Sequence, residues 1–256
     1  MSRKIRLYSV AVLAFILLNS NSFAQVVNVE KKRKGKEEGF TGIAGLGIYL
    51  IDNGKNIFQF KNNIDLQYHK KAHTIILLND LNLMTLDDDN LVNSGFQHIR
   101  YNYTLKDSSF FTIEAFGQHQ YNSIKLLKKR FLLGAGPRIR ILNSDKVSCF
   151  IGAIGMYEYE LRSDSLKTIQ ELARLSSYIS FSWELLKNLN FNNITYYQPA
   201  FQNPDNYRIA SESALNLKIN QSLSFKIALQ ATYDSQPPED VQKLFYSWQN
   251  MLTYEF

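Results

Sequence analysis

The sequence has a single cysteine, Cys149, so an intrachain disulfide is excluded. Apart from one stretch near the N-terminus, no apolar run approaches the roughly 20 residues that a membrane-crossing helix needs. Mean hydropathy is only −0.25. A chain with this profile crosses a membrane only as a closed barrel, because helices and barrels alone satisfy every backbone group in lipid. Net positive charge is small too. The formal charge is +6, but Arg3, Lys4 and Arg6 fall in the first 24 residues and no acid does, which leaves +3 beyond them. Such a balance gives no footprint for nucleic acid. The four histidines, His69, His73, His98 and His119, lack acidic or cysteine partners at ligand spacing, so neither a metal nor a cofactor is expected. Gly134-Ala135-Gly136-Pro137 lies inside a strand pattern with no helix after it. It reads as close backbone packing or a bend, not as a phosphate loop.

What is present begins with a leader. Ser2 to Arg6 is basic, Leu7 to Leu18 is apolar, and Ser22-Phe23-Ala24 is a small-residue cleavage site. This is the pattern of a secretory signal peptide over residues 1–24, with the cut before Gln25. No cysteine lies near the cut, so lipoprotein processing is excluded. Residues 25–39 carry Glu-Lys-Lys-Arg-Lys-Gly-Lys-Glu-Glu-Gly and read as a flexible charged periplasmic lead-in, with a plug for the barrel mouth as the other possibility. Residues 40–256 then form one β-domain.

That domain alternates with period 2 throughout. In the stretch 56–69, Phe58, Phe60, Ile64, Leu66 and Tyr68 share one face and Gln59, Lys61, Asn63, Asp65 and Gln67 the other. Near 147–161, Tyr157 and Tyr159 oppose Glu158 and Glu160. About twelve strands of this kind follow one another, the fourth expected near 95–105 after a polar loop at 87–90. The eighth is expected near 172–184, after a loop of about ten residues. The final stretch, Lys243 to Phe256, sets Tyr246, Trp248, Leu252, Tyr254 and Phe256 on one face. A closing strand with aromatics at both ends resembles the insertion signal of outer-membrane barrels, carried by Tyr254 and Phe256. Aromatics gather near strand ends in two sets, one containing Tyr121, Tyr157 and Tyr207 and the other Tyr68, Tyr103 and Trp183. These are the two girdles of a membrane barrel. A soluble barrel or sandwich would bury those hydroxyls and indoles without partners. The expected fold is therefore an all-β, transmembrane antiparallel β-barrel of about twelve strands, an up-and-down meander. Its expected address is the outer membrane, both termini periplasmic.

Three stretches carry a family resemblance: Gly95 to Tyr103, Ala115 to Tyr121, and Lys129 to Arg138, with Tyr233-Asp234-Ser235, Pro237-Pro238 and the final Tyr254-Glu255-Phe256. They resemble the YdiY-like proteins, the salt-induced outer-membrane proteins. The Asn, Tyr and Lys content resembles Bacteroidota-type proteins. The resemblance implies a barrel and an outer-membrane address, and no established activity or site.

The chemistry available inside such a barrel is charge. Arg100, Glu114, Arg130, Arg138, Arg140, Glu158, Glu160 and Arg174 all fall on inward faces of strands four to eight. Counting from the turns puts Arg130 and Arg174 beside Glu158 and Glu160, and Glu114 beside Arg138 and Arg140. Such a set is either a salt-bridge lattice that locks register or a charged constriction for small solutes or ions. The expected role is a passive or structural barrel, or a narrow pore, with outer-membrane lipid and the barrel insertion machinery as partners. The alternative is a lipid-modifying hydrolase, with His119, Ser177, Ser211 and Ser213 on the lipid face. No Gly-flanked nucleophile motif supports that alternative, and no catalytic residue is assigned.

Overall fold

Side-chain alternation organises every strand of the protein. The computed structural model describes residues 38–254 apart from 53, 88 and 106–109. The signal peptide, the lead-in up to residue 37, and Phe256 lie outside the described residues, as does the side chain of Tyr254. Twelve strands form: β1 (Gly39–Asp52), β2 (Asn56–Lys70), β3 (His73–Leu86), β4 (Asp89–Thr104), β5 (Phe111–Asn122) and β6 (Leu127–Asn143), then β7 (Val147–Arg162), β8 (Ile169–Leu186), β9 (Leu189–Pro199), β10 (Tyr207–Lys218), β11 (Leu223–Asp234) and β12 (Leu244–Tyr254). Each pairs antiparallel with its sequence neighbour, in the order β1 to β12 without a crossover. Among the described residues, β1 and β12 are the two ends of the sheet.

The sheet is rolled. Lys125, between β5 and β6, reaches Thr232 on β11 at 3.5 Å and lies 4.3 Å from the Phe245 ring of β12. Arg208 on β10 meets Glu158 and Glu160 on β7. Contacts between strands so far apart in the order require the inward faces to look at one another. The outward face is apolar and exposed, with Leu46, Leu77, Ile99, Leu133, Ile151 and Trp248 all open. The chain is a twelve-stranded up-and-down transmembrane β-barrel: polar and charged groups turn inward, and an apolar band faces lipid. No helix among the described residues is long and apolar enough to cross a membrane.

Aromatic rings cluster at the strand ends. Phe40 packs on Tyr68 with ring centroids 4.6 Å apart, and His73 stacks on Tyr101 at the same end. At the opposite end, Tyr207 lies 5.8 Å from both Tyr197 and Tyr233. The first end carries the connections 71–72, 105–110, 144–146, 187–188 and 219–222 and is called here the turn end. The second carries 123–126, 163–168, 200–206 and 235–243 and is called the loop end.

Two elements differ from the sequence reading. β4 begins at Asp89, not near 95, because Asp89 and Asn90 pair with Leu86 and Thr85 across a bulge at Met84/Thr85. Asp89 and Asn90, expected in a polar loop, are thus part of the β4 ladder. β8 begins at Ile169, because Leu161 pairs with Ile169 and the Arg162 N–H bonds the Thr168 carbonyl. The loop after β7 shrinks accordingly to 163–168. The Asp164 carboxylate accepts the Thr168 N–H there, and that bond holds its pKa below the ordinary aspartate value. At Gly136 an added Cβ would sit 2.2 Å from the Ala153 carbonyl oxygen and 2.7 Å from the Ile154 Cα. The Gly-Ala-Gly-Pro stretch therefore serves the close approach of β6 to β7.

Candidate functional site

The barrel interior has two unlike walls. Along β5 to β10, alternation delivers large inward side chains, and they pack across the lumen. Phe116, Leu132, Ile154, Met156, Tyr178, Ile194, Tyr196 and Ala210 form one buried apolar cluster. Charged groups sit at both ends of it.

At the loop end, Glu158 and Glu160 are the hub. Arg130 Nε donates to Glu158 Oε1 at 2.7 Å and lies 3.7 Å from Glu160 Oε2. Arg174 also pairs with Glu158, and its remaining N–H groups reach the Gln198 and Asn206 carbonyls at 3.0 and 2.9 Å and Asn206 Oδ1 at 2.8 Å. Arg208 pairs with Glu158, with Glu160 at 2.8 Å and with Asp234 at 2.7 Å. Arg162 completes the set, 2.9 Å from Glu160 and donating to Gln170 and to the Gln236 carbonyl. Arg130, Arg174, Glu158 and Glu160 are essentially sealed from solvent. Burial of this kind is tolerated only because each charge is paired and hydrogen-bonded.

At the turn end, Glu114 is the hub. Arg100 approaches it at 3.3 Å and Arg138 at 4.0 Å, and the Tyr178 hydroxyl donates to it at 2.6 Å. Arg138 and Arg140 lie over the Phe150 ring at 3.7 and 5.5 Å. So the structure brings the eight expected charges together in two groups. Arg130, Glu158, Glu160 and Arg174 form one; Arg100, Glu114, Arg138 and Arg140 form the other. Sequence reasoning missed Arg162, Arg208, Asp234 and Tyr178 as members. Parity alone places Arg162 inward, two residues beyond Glu160, and the inward position of Arg208 is legible the same way. Their partners are not, because they come from across the barrel.

The second wall, along β1 to β4, is packed toward the turn end by the buried cluster Ile76, Leu78 and Phe96, and opens beyond it toward the loop end. A cavity of about 280 Å³ is lined chiefly by inward Gly45, Gly47, Lys61, Asn63, Asp80, Asn82, Ser94 and Phe96. An added Cβ at Gly45 or Gly47 meets nothing closer than 3.8 Å, so these glycines leave the wall without side chains where the cavity lies. Asn63 donates to Asp80, and Gln59 donates to Asn82 at 3.2 Å. The Asn82 oxygen accepts from Gln59, but the Asn82 amide nitrogen makes no hydrogen bond within the protein, and Asn82 lines this cavity.

The elements of the alternative reading stay apart. His119 Nδ1 is 2.8 Å from Gln97 Oε1 on the outer face. Ser177 donates to the Tyr197 carbonyl, and Ser211 and Ser213 contact Asn193, so none of the three hydroxyls bonds His119. His69 and His73 bond Thr74 and Tyr101 respectively. No group of three or more metal-ligating side chains exists among the described residues.

These features define a class: a transmembrane β-barrel with a packed, ion-paired interior that opens into a polar-lined concavity along β1 to β4. The chain belongs to the DUF481 family of proteins of unknown function, whose pattern matches residues 55–256. None of the curated proteins compared with it matches. Among solved structures it is similar to the NanC porin, at 8% identity and a TM-score of 0.46, over 83% of this chain and 99% of that one. It is also similar to the KdgM porin, at 12% identity and a TM-score of 0.42, over 84% of this chain and 99% of that one. A bacterial polysaccharide outer membrane secretin is similar at 10% identity and a TM-score of 0.48, over 85% of this chain and 86% of that one. At such identities and scores the fold assignment rests on the chain's own ladders and faces.

Proposed function

We propose that this protein is an outer-membrane barrel with both termini periplasmic, and that it passes small polar solutes or ions through a narrow path along the β1–β4 wall. The lipid-facing girdles, the signal peptide pattern and the YdiY-like resemblance support the address. The observation that carries the pore reading is the asymmetry of the interior. One wall is filled by side chains and buried ion pairs, and the other, beyond the Ile76, Leu78 and Phe96 cluster, opens as a concavity fronted by Gly45 and Gly47 and lined by Lys61, Asn63, Asp80 and Asn82. Polar linings with matched donors and acceptors are what a passing solute needs in place of its hydration shell. Arg100, Glu114, Arg130, Arg138, Arg140, Glu158, Glu160 and Arg174 then act as the scaffold that sets the shape of the path. Outer-membrane lipid and the barrel insertion machinery are the partners of such a protein, with Tyr254 and Phe256 as the insertion signal. The test is single-channel conductance of the purified protein in planar bilayers. A small, steady conductance that falls several-fold in Gly45→Trp or Gly47→Trp is expected. A native barrel with no conductance, or one whose conductance ignores both substitutions, overturns the path.

A further inference from the structure

The lipid-facing surface is not apolar throughout. A chain of amides crosses it near the middle of the strands. The Asn62 amide N–H reaches the Gly45 carbonyl at 3.5 Å, Asn79 donates to Asn62 Oδ1 at 2.5 Å, and Gln97 donates to Asn79 Oδ1 at 3.2 Å. His119 Nδ1 meets Gln97 Oε1 at 2.8 Å, and the His119 ring stacks 4.7 Å from Phe131. The register puts all four residues outward. Asn62 pairs with Leu46 and Leu81, Asn79 with Ile64, and Gln97 with both Asn79 and His119. Their outward neighbours Leu46, Leu77 and Ile99 are exposed apolar residues.

Donor arithmetic makes this costly in lipid. Each side-chain amide has two N–H groups. Asn62, Asn79 and Gln97 each give one to the chain, which leaves a second N–H on each at hydrocarbon depth. Acyl chains offer no acceptor, so a polar group left unsatisfied there is strongly disfavoured. Beside the chain lies a shallow groove of about 500 Å³, floored by Gly117 and walled by Ile99, His119, Phe131 and Leu133. Small residues and polar side chains together are the features by which proteins pack against one another inside membranes.

We propose that this face, β2 to β5, is where two copies of the barrel associate side by side in the membrane. A second copy is the occupant that the chemistry fits. Amides donate and accept, so the surface is self-complementary. Copies inserted the same way also present it at the same depth. A two-fold axis along the membrane normal, passing between β3 and β4, sets Asn79 of one copy against Gln97 of its partner, twice, as a closed two-fold contact requires. A bound lipid would fill the groove but leave the amides unpaired.

The test uses the full chain in a Cys149→Ser background, with cysteine placed at Asn79, at Gln97 or at Ser211. Ser211 is a control, outward on β10 and bonded to Thr195 at 2.9 Å. Oxidation of membranes that hold Asn79→Cys and Gln97→Cys chains together is expected to yield a disulfide-linked 79–97 dimer, and membranes that hold Ser211→Cys chains none. The native protein should sediment as a dimer in mild detergent. The pair Asn79→Leu and Gln97→Leu should reduce the dimer at least tenfold, while heat-modifiable migration on gels shows that the barrel still folds. A native monomer with no crosslinks, a dimer that crosslinks only through Ser211, or a double-leucine variant that stays dimeric each overturns the proposal. So does a monomer whose leucine pair changes only the lipid that copurifies.

Discussion

Arg208 on β10 and Glu158 on β7 form an ion pair across the interior of the barrel, between strands that share no ladder. Arg208 also holds Glu160 and Asp234, so one guanidinium ties β7 to β10 and β11. Removing one member of a buried network leaves its partners charged and desolvated, at a cost of about 3–5 kcal/mol. Arg208→Ala is expected to lose that much, measured by urea unfolding in detergent micelles. Lys226→Ala, on the inward face of β11, should lose far less. Equal losses would mean that the hub is wetter than its burial shows.

The same hub separates scaffold from pore lining. Arg130→Ala should lower the unfolding temperature clearly, since its Nε bonds Glu158 inside the sealed wall. If the path runs along β1–β4, single-channel conductance of the folded fraction should change less than twofold. Asp80→Ala, on the open wall, should shift cation-to-anion preference instead, because it removes a carboxylate from the cavity lining. A large conductance change in Arg130→Ala with none in Asp80→Ala would move the path to the charged wall.

Tyr178 depends on a glycine. Its ring occupies the place where a Gly152 side chain would stand, since an added Cβ would sit 2.1 Å from a ring carbon. That position lets the hydroxyl donate to Glu114. Gly152→Ala must push the ring aside, and Tyr178→Phe deletes only the donor. Loss of one buried hydrogen bond to a charged group costs about 1.5–3 kcal/mol. Tyr178→Phe should lose about that much in unfolding measurements, and Gly152→Ala more, because it also disturbs the packing around Tyr196. A Gly152→Ala variant as stable as the native chain would show that the ring has room to move.

Much of this was legible from period 2 alone. It places Arg130 and Glu158 inward, and turn counting brings Arg130 to Glu160 in the β6–β7 ladder. Three things were not legible. The inner apolar cluster was hidden because Leu132 and Leu133, or Ile151 and Ile154, are apolar on both parities, so alternation carries no contrast there. The reach of Arg208 to β7 was hidden because partners across a lumen are set by barrel curvature, and strand neighbours are all that register can give. The chain of Asn62, Asn79, Gln97 and His119 illustrates a third limit. Each looks like a tolerated exception on its own strand, and only the ladders join them.

Lys125 gives the pH test. It lies in the connection 123–126 at the loop end, half-buried, with its amine near Thr232 and over the Phe245 ring. Burial, with help from Arg130 and Arg208 and against the pull of Asp234, lowers its pKa to about 7. In the unfolded chain the amine titrates near its ordinary value of about 10.4. Between those two values the unfolded chain therefore binds more protons than the folded one, and stability rises with pH across that window. Below pH 7 the penalty for a charged, half-buried amine is fully present. Lys125→Met removes the group altogether. It should raise the thermal unfolding midpoint most at pH 6, less at pH 8, and least at pH 10, when the same buffers and micelles are used throughout. A gain that is constant from pH 6 to pH 10 would show that the amine carries no burial penalty. A loss at pH 6 would show instead that the protonated amine is held by Asp234.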